Sequence, residues 1–559
     1  MTERIAKDGM EQTNDQWLWF VDNELVEALT RADVLDEASE KRPVRSAALF
    51  QALTLNMEGQ TEQALREVRD AIEGGETLPE LVWTKAHLEF QLGRYDEALE
   101  DYQKVLEANP NHKAGAYNVA VCLEKLQRFE EAAAAFRKAA DLNPKLLEAR
   151  LGLGVCNLHR KLAEEALGAF EECLEAQPEH DKALYGKAVA LQLLGRAGEA
   201  LDLYLRLLPS QATDAELLTN ILALTRARGE HEQVREYSEK LLRLHPGARV
   251  ALEGLVGAAM ARGDYKAVVQ HGTQLVKAAP DSFEGWFNLG VAHQRLNRLE
   301  QAGQAFSEAI KIRPESGLAY ANLGATLQER GEIPEARKAY ERAVQLAPEN
   351  TTALWNLSIV QERVGNVTEV ERCLEKLVEL DSERVDAWFR LGYLRLLRED
   401  LAGSIEPFRI CVSKRPDWLE ALLNLGVAQR RSGDSEAAKG SFTQAVSTHP
   451  ESADAVRGLA AVALDQGDYI LALDCQSKLE QLGERSAELA FNLGVLLQRA
   501  NLHEDAARQY RTAAEERSGF AEALLNLGHA LQALGQDQEA RTYWQQAVEA
   551  KPEFAEKYF

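Results

Sequence analysis

The sequence predicts an all-α solenoid of 34-residue helix–turn–helix repeats, and three observations carry that prediction. One period of 34 residues runs from Arg45 to Phe554 without a break in register. It yields fifteen units, starting at 45, 79, 113, 147, 181, 215, 249, 283, 317, 351, 385, 419, 453, 487 and 521. Within the units, good helix formers carry apolar residues three and four positions apart, the spacing of a helix with one buried face. Glycine or asparagine stands at position 15 in twelve units and proline at position 32 in ten, so helix-ending residues recur at two fixed places.

Each element of the unit has a physical reason, seen best in the unit from Ala521 to Phe554. Leu527 and Gly528 occupy positions 7 and 8, Gly535 position 15, Ala540 position 20, Trp544 position 24, Ala547 position 27 and Pro552 position 32. Position 15 suits the left-handed residue that closes a first helix. Proline at 32 cannot continue a hydrogen-bond ladder and ends the second helix. Small residues at 8 and 20 let the two helices approach, and bulky ones at 7 and 24 fill the space beside them. A single unit cannot bury its apolar face, so the array must stack.

Four places depart from the pattern. Units 215–248 and 249–282 carry Leu222, Val256, Val234 and Val268 where small residues are expected, which reads either as local repacking or as a bend between two arms. Unit 351–384 has Ser358 and Val370, unit 453–486 lacks the proline, and Pro407 falls inside a second helix, where it should kink or shorten it. The chain therefore divides into 1–44, 45–214, the divergent 215–282, 283–554 and a short tail, 555–559. In the first segment, Asp15 could cap a helix to about Ser39 with a stripe of Trp17, Phe20, Val21, Leu25 and Leu29, a lid for the first repeat. At the other end only five residues follow the last unit, and Trp544, Tyr558 and Phe559 could meet a second subunit.

Composition narrows the function classes. Among 559 residues, 64 Lys and Arg face 89 Asp and Glu, a formal charge of −25. A surface so acidic repels phosphate backbones, which argues against nucleic acid as a partner. The N-terminus lacks a basic stretch followed by an apolar one, and no segment approaches the ~20 apolar residues of a membrane helix, so neither secretion nor membrane insertion is expected. The six cysteines, at 122, 156, 173, 373, 411 and 475, form no C-x-x-C pair and no zinc spacing, and read as small buried residues of a reducing, cytoplasmic compartment.

The residues at positions 7, 8, 15, 20, 24, 27 and 32 resemble the tetratricopeptide repeat family over 510 of the 559 residues. That resemblance implies a right-handed superhelix with a concave groove lined by the first helices.

Nucleophile triads, phosphate-cradling glycines and metal-ligand spacings are all missing from the sequence, so no catalytic residue, metal or cofactor is expected. The informative positions are those that the resemblance places in the groove. Position 6 is asparagine at 118, 220, 288, 322, 356, 424, 492 and 526, and such an amide can bond a peptide's N–H and C=O together. Position 5 carries aromatics, including Phe287, Trp355, Phe389 and Phe491, and position 13 carries Arg295, Arg363, Arg431 and Arg499 in alternate units. These fit a groove for an extended peptide: asparagines grip the backbone, aromatics take apolar side chains and arginines attract acidic ones. The asparagines could equally bond the neighbouring repeat. The ladder also resembles the repeat arm of O-linked N-acetylglucosamine transferases, where such asparagines hold substrate peptides, although nothing resembles the transferase domain.

The expected function is thus a non-catalytic scaffold or adaptor that binds protein or peptide partners. A substrate-presenting arm for a separately encoded transferase and an architectural subunit that self-associates through its ends are the alternatives.

Overall fold

The computed structural model of the protein describes residues 46–211 and 213–558, the side chains of 556–558 excepted. Among the described residues there are fifteen helix pairs and a short closing helix, Glu553–Tyr558, and no strand. The chain forms two compact units, one ending at Asp281 and the other starting at Ser282. First helices generally fill positions 1–13, as in Phe283–Arg295, and second helices positions 17–30, as in Leu299–Ile312. The proposed helix from Asp15 and the side chains of Tyr558 and Phe559 lie outside the described residues.

The punctuation works as the sequence suggests, and more strictly. Position 15 has a positive φ in all fifteen repeats, including three where neither glycine nor asparagine stands there: Gln127 (φ 58°), Lys161 (φ 62°) and Glu399 (φ 65°). In repeat 79–112, the Arg94 N–H donates to the Glu89 carbonyl at 2.9 Å and the Gly93 N–H to the Phe90 carbonyl at 3.0 Å, the paired bonds that close a helix with a left-handed residue. At the other ends, side chains at position 34 cap first helices: Ser282, Ser316, Asn350 and Ser452 each accept a backbone N–H three residues on. Proline at 32 is not required to end the second helix, since Val367–Leu380 stops at the same place with Ser382 there.

Packing explains the small residues. The ring at position 24 lies directly over position 8, so a Cβ added to Gly290 would come within 2.7 Å of Phe306, and one on Gly324 within 2.8 Å of Tyr340. The same ring reaches the next repeat's position 6: a Cβ on Gly458 would meet Phe442 at 2.2 Å. One aromatic thus ties three helices together, and its loss would cost ~3–5 kcal/mol. The divergent repeats 215–248 and 249–282 exchange the large and small positions. Leu222 and Val256 are large at position 8, while position 24 shrinks to Ser238 and Gly272.

Pro407 corrects the expectation of a shortened helix. Leu401–Lys414 contains it and keeps fourteen residues, the usual second-helix length. The acceptor that Pro407 cannot serve is the Gly403 carbonyl, and Arg395 Nη1 donates to it at 3.2 Å. A guanidinium replaces the missing backbone donor, so the helix does not have to end.

Among the described residues, two carboxylates are buried, Glu89 and Asp101. Glu89 is 0% and Asp101 2% exposed. Arg69 donates to Glu89 at 2.6 Å with Lys85 at 3.4 Å, and Lys85 and Lys104 both bond Asp101. Burial pulls the Asp101 carboxyl up, and the two lysines outweigh it, leaving it below its ordinary value of 3.8. All six cysteines are buried and free. Burial pushes the Cys173 and Cys475 thiols up to about 11 and the Cys122, Cys373 and Cys411 thiols up to about 12, so all five are neutral at pH 7.

Candidate peptide-binding face

Within each unit, first helices of successive repeats approach one another, while no pair of second helices comes as close. The first helices therefore line the tighter, inner side of each stack. Asn118 and Asn220 belong to the first unit, and the other groove residues named from the sequence lie on this face of the second.

The asparagines fall into three groups. Asn118 is buried and bonds Tyr102 at position 24 of the preceding repeat, Asn356 does the same with Tyr340, and Asn220 donates to Tyr185 Oη at 2.9 Å. These three bond a neighbouring repeat. Asn322 and Asn424 donate one N–H to their own helix, to the carbonyls of Leu318 at 2.9 Å and Glu420 at 2.8 Å, which leaves the second N–H and Oδ1. Asn288, Asn492 and Asn526 are at least partly exposed and bond no described residue. A tyrosine at position 24 of the previous unit accompanies Asn118 and Asn356, but it also precedes the unbonded Asn526, which follows Tyr510, so this pattern does not separate the groups.

The aromatics at position 5 carry packing as well as surface. Phe287, Phe389 and Phe491 meet the position-24 rings of their own repeats, Phe306, Phe408 and Tyr510, at centroid distances of 5.7, 5.7 and 5.9 Å. Trp355 has Leu374 at that place and instead carries the guanidinium groups of Arg384 at 4.6 Å and Arg390 at 5.0 Å. All four remain half-buried, with part of each ring on the inner side.

The arginines stand out by what they do not touch. Arg295, Arg363 and Arg499 are exposed and make no ion pair with any described residue, whereas Arg431 pairs with Glu399 at 2.7 Å. Elsewhere on this face the charges are matched, as in Glu284–Arg313 at 3.1 Å and Glu522–Lys551 at 2.9 Å. Between the arginines, position 13 holds Glu329, Leu397 and Asp465, so the row alternates. Sequence reading missed a further feature beside it: Tyr393, Leu397 and Val427 form an exposed apolar run on two neighbouring first helices, Leu397 at 64% exposure.

Two models of the tetratricopeptide repeat match the chain. One covers 84–146, 163–215 and 423–484, the other 283–316, 317–350 and 521–554, together about half of it, and the second set coincides with three of the repeats above. The chain belongs to the tetratricopeptide repeat family. With that it joins a family of protein-interaction scaffolds. No curated protein matches it. Solved structures with tetratricopeptide-like folds include MamA (22% identity, 32% of this chain and 97% of that one, TM-score 0.29). Others are YrrB, described as having an unusual peptide-binding site (20%, 33% and 96%, TM-score 0.31), and Naa15/Naa10 bound to HypK-THB (14%, 86% and 80%, TM-score 0.33). Among the described residues, no tetratricopeptide helix is long and apolar enough to cross a membrane.

Proposed function

We propose that this protein is a non-catalytic, cytoplasmic adaptor whose second unit, from Ser282 onward, binds an extended acidic peptide along its first helices. The observation that supports this is the set of unpaired groups on one face: Arg295, Arg363 and Arg499 without ion pairs, and Asn288, Asn492 and Asn526 without internal hydrogen bonds, in a chain of charge −25. Unpaired guanidinium groups in so acidic a protein favour a carboxylate-bearing partner. First helices packed roughly 10 Å apart put the position-13 arginines about 20 Å from one another. At about 3.3 Å per residue of extended chain, that spacing selects a carboxylate every six residues or so. Glu329 would repel an acidic residue at the place between Arg295 and Arg363, whereas Asp465 is matched by Arg430 at 2.6 Å, so the spacing is a matter of specificity as well as affinity at the Arg295–Arg363 end.

The test is fluorescence anisotropy with labelled 22-residue peptides carrying aspartate at positions 1, 7 and 19, which match the two-repeat and four-repeat gaps between Arg295, Arg363 and Arg499 and extend to Asn526. The Asn288→Ala, Asn492→Ala, Asn526→Ala triple variant should lose more than tenfold in affinity with unchanged helicity. The Arg295→Gln, Arg363→Gln, Arg499→Gln triple should lose both affinity and most of the salt dependence. Equal affinity of all three proteins, or no binding by any, rejects the reading.

A further inference from the structure

Repeat 453–486 lacks the ring that both neighbours carry at position 24 and the one that repeat 487–520 carries at position 5. Position 5 is Arg457 and position 24 is Gln476, where the adjoining repeats carry Phe442 and Tyr510 at position 24. Its linker also differs. The second helix, Tyr469–Gln481, is one residue short, and Gly483 (φ 81°) turns the chain in place of proline. That helix packs less closely on the next first helix, Ala487–Arg499, than any other second helix of the second unit packs on the first helix that follows it. A cavity of about 220 Å³ results, floored by Ala460, Leu464, Leu479 and Leu489 and opening beside Ala461 and Asn492.

We infer that this cavity receives the aromatic ring of a tyrosine carried by the bound peptide, which supplies in trans the ring that Gln476 omits. This deepens the peptide-binding reading and rests on it for the carrier. The size fits, since a 150 Å³ apolar cavity already holds benzene. The location fits, because the empty space is where the position-24 ring sits in other repeats, between position 8 of one first helix and position 6 of the next. Charge selects the kind of side chain. Arg457 is matched by Asp454 and Glu484, and Arg485 by Glu516 at 3.1 Å, so the arginines on the wall are already paired and call for no carboxylate. The Glu480 carboxylate has no ion-pair partner among the described residues and lines the cavity, an acceptor for a phenol O–H. Asn492, with its amide unbonded at the mouth, is placed to hold the backbone of the residue that delivers the ring.

The pocket can be tested apart from the groove, using the full chain and single amino-acid amides. In saturation-transfer NMR, N-acetyl-tyrosinamide should bind at least fivefold more tightly than the leucine or lysine amides. Gln476→Phe should abolish that binding by filling the cavity in cis, a substitution with precedent in repeat 113–146, where Ala120 and Phe136 occupy positions 8 and 24. Ala461→Trp, which blocks the mouth from outside the core, should do the same if Gln476→Phe disturbs folding. Preference for the lysine amide would make this a cation pocket and overturn the inference. Tyrosinamide binding that is undetectable, or unchanged in both variants, would also overturn it. Such a result leaves the anisotropy test of the groove untouched, so the two readings fail separately.

Discussion

Arg395 Nη1 donates to the carbonyl oxygen of Gly403 at 3.2 Å, the acceptor that Pro407 leaves without its helical partner. The same guanidinium bonds Glu371 at 2.9 Å and Glu375 at 2.5 Å on the preceding second helix, so one side chain repairs a helix and joins two repeats.

Replacing Arg395 by Met should therefore cost roughly 1–3 kcal/mol, because it strands the Gly403 carbonyl and takes the partner of Glu375, while Glu371 keeps Arg398 at 2.6 Å. In a Pro407→Ala background the cost should shrink, since the backbone N–H restored by that substitution reclaims the Gly403 carbonyl. Urea melts of the four proteins give the coupling, and strict additivity would contradict the account.

Gln127, Lys161 and Glu399 hold a left-handed backbone that the repeat imposes on them. Gln127→Gly should raise stability by about 0.5–1 kcal/mol, the relief of strain exceeding the extra freedom of the unfolded chain. Gly433→Ala should lower it by about 1 kcal/mol through the backbone alone, because a Cβ there meets nothing within 4 Å. Thermal denaturation that shows the same sign for both changes would refute this.

Burial raises the Glu124 carboxyl from 4.5 to about 6, against a smaller pull from Lys125. A carboxyl whose folded value is raised stabilises the fold fully below about pH 4.5, and that contribution is lost as pH rises through about 6. Glu124→Gln should accordingly gain about 1–2 kcal/mol at pH 7.5 and close to nothing at about pH 4. Melting temperatures measured across that range decide it; a gain that does not depend on pH would exclude the titration of Glu124 as the cause.

Size exchange across contacts shows why local pattern reading reached only part of the molecule. Leu222 and Val256 break the small-residue rule at position 8 when read alone. Set beside Ser238 and Gly272, which a first-helix pattern does not consult, they make sense as a large residue facing a small one. The asparagines behave alike: position 6 is one residue type in sequence, but Asn118 and Asn356 bond the tyrosine of the previous repeat while Asn526, which follows Tyr510, does not.

The helices, their boundaries, the repeat register and the membership of the tetratricopeptide family were all legible in the chain, because each rests on local conformational preference repeated every 34 residues. Gly535 and Pro552 mark helix ends whatever surrounds them. Which of the polar groups are spent was settled by the folded arrangement alone. Asn356 is bonded to Tyr340 and Arg431 to Glu399, while Asn492 and Arg363 are free. The same arrangement leaves the helix around Pro407 whole and buries Glu89, since both depend on a guanidinium brought from another helix. One cause underlies every case. A helix end is written in one residue, whereas a satisfied hydrogen bond or a filled cavity belongs to two elements that meet only when the repeats stack.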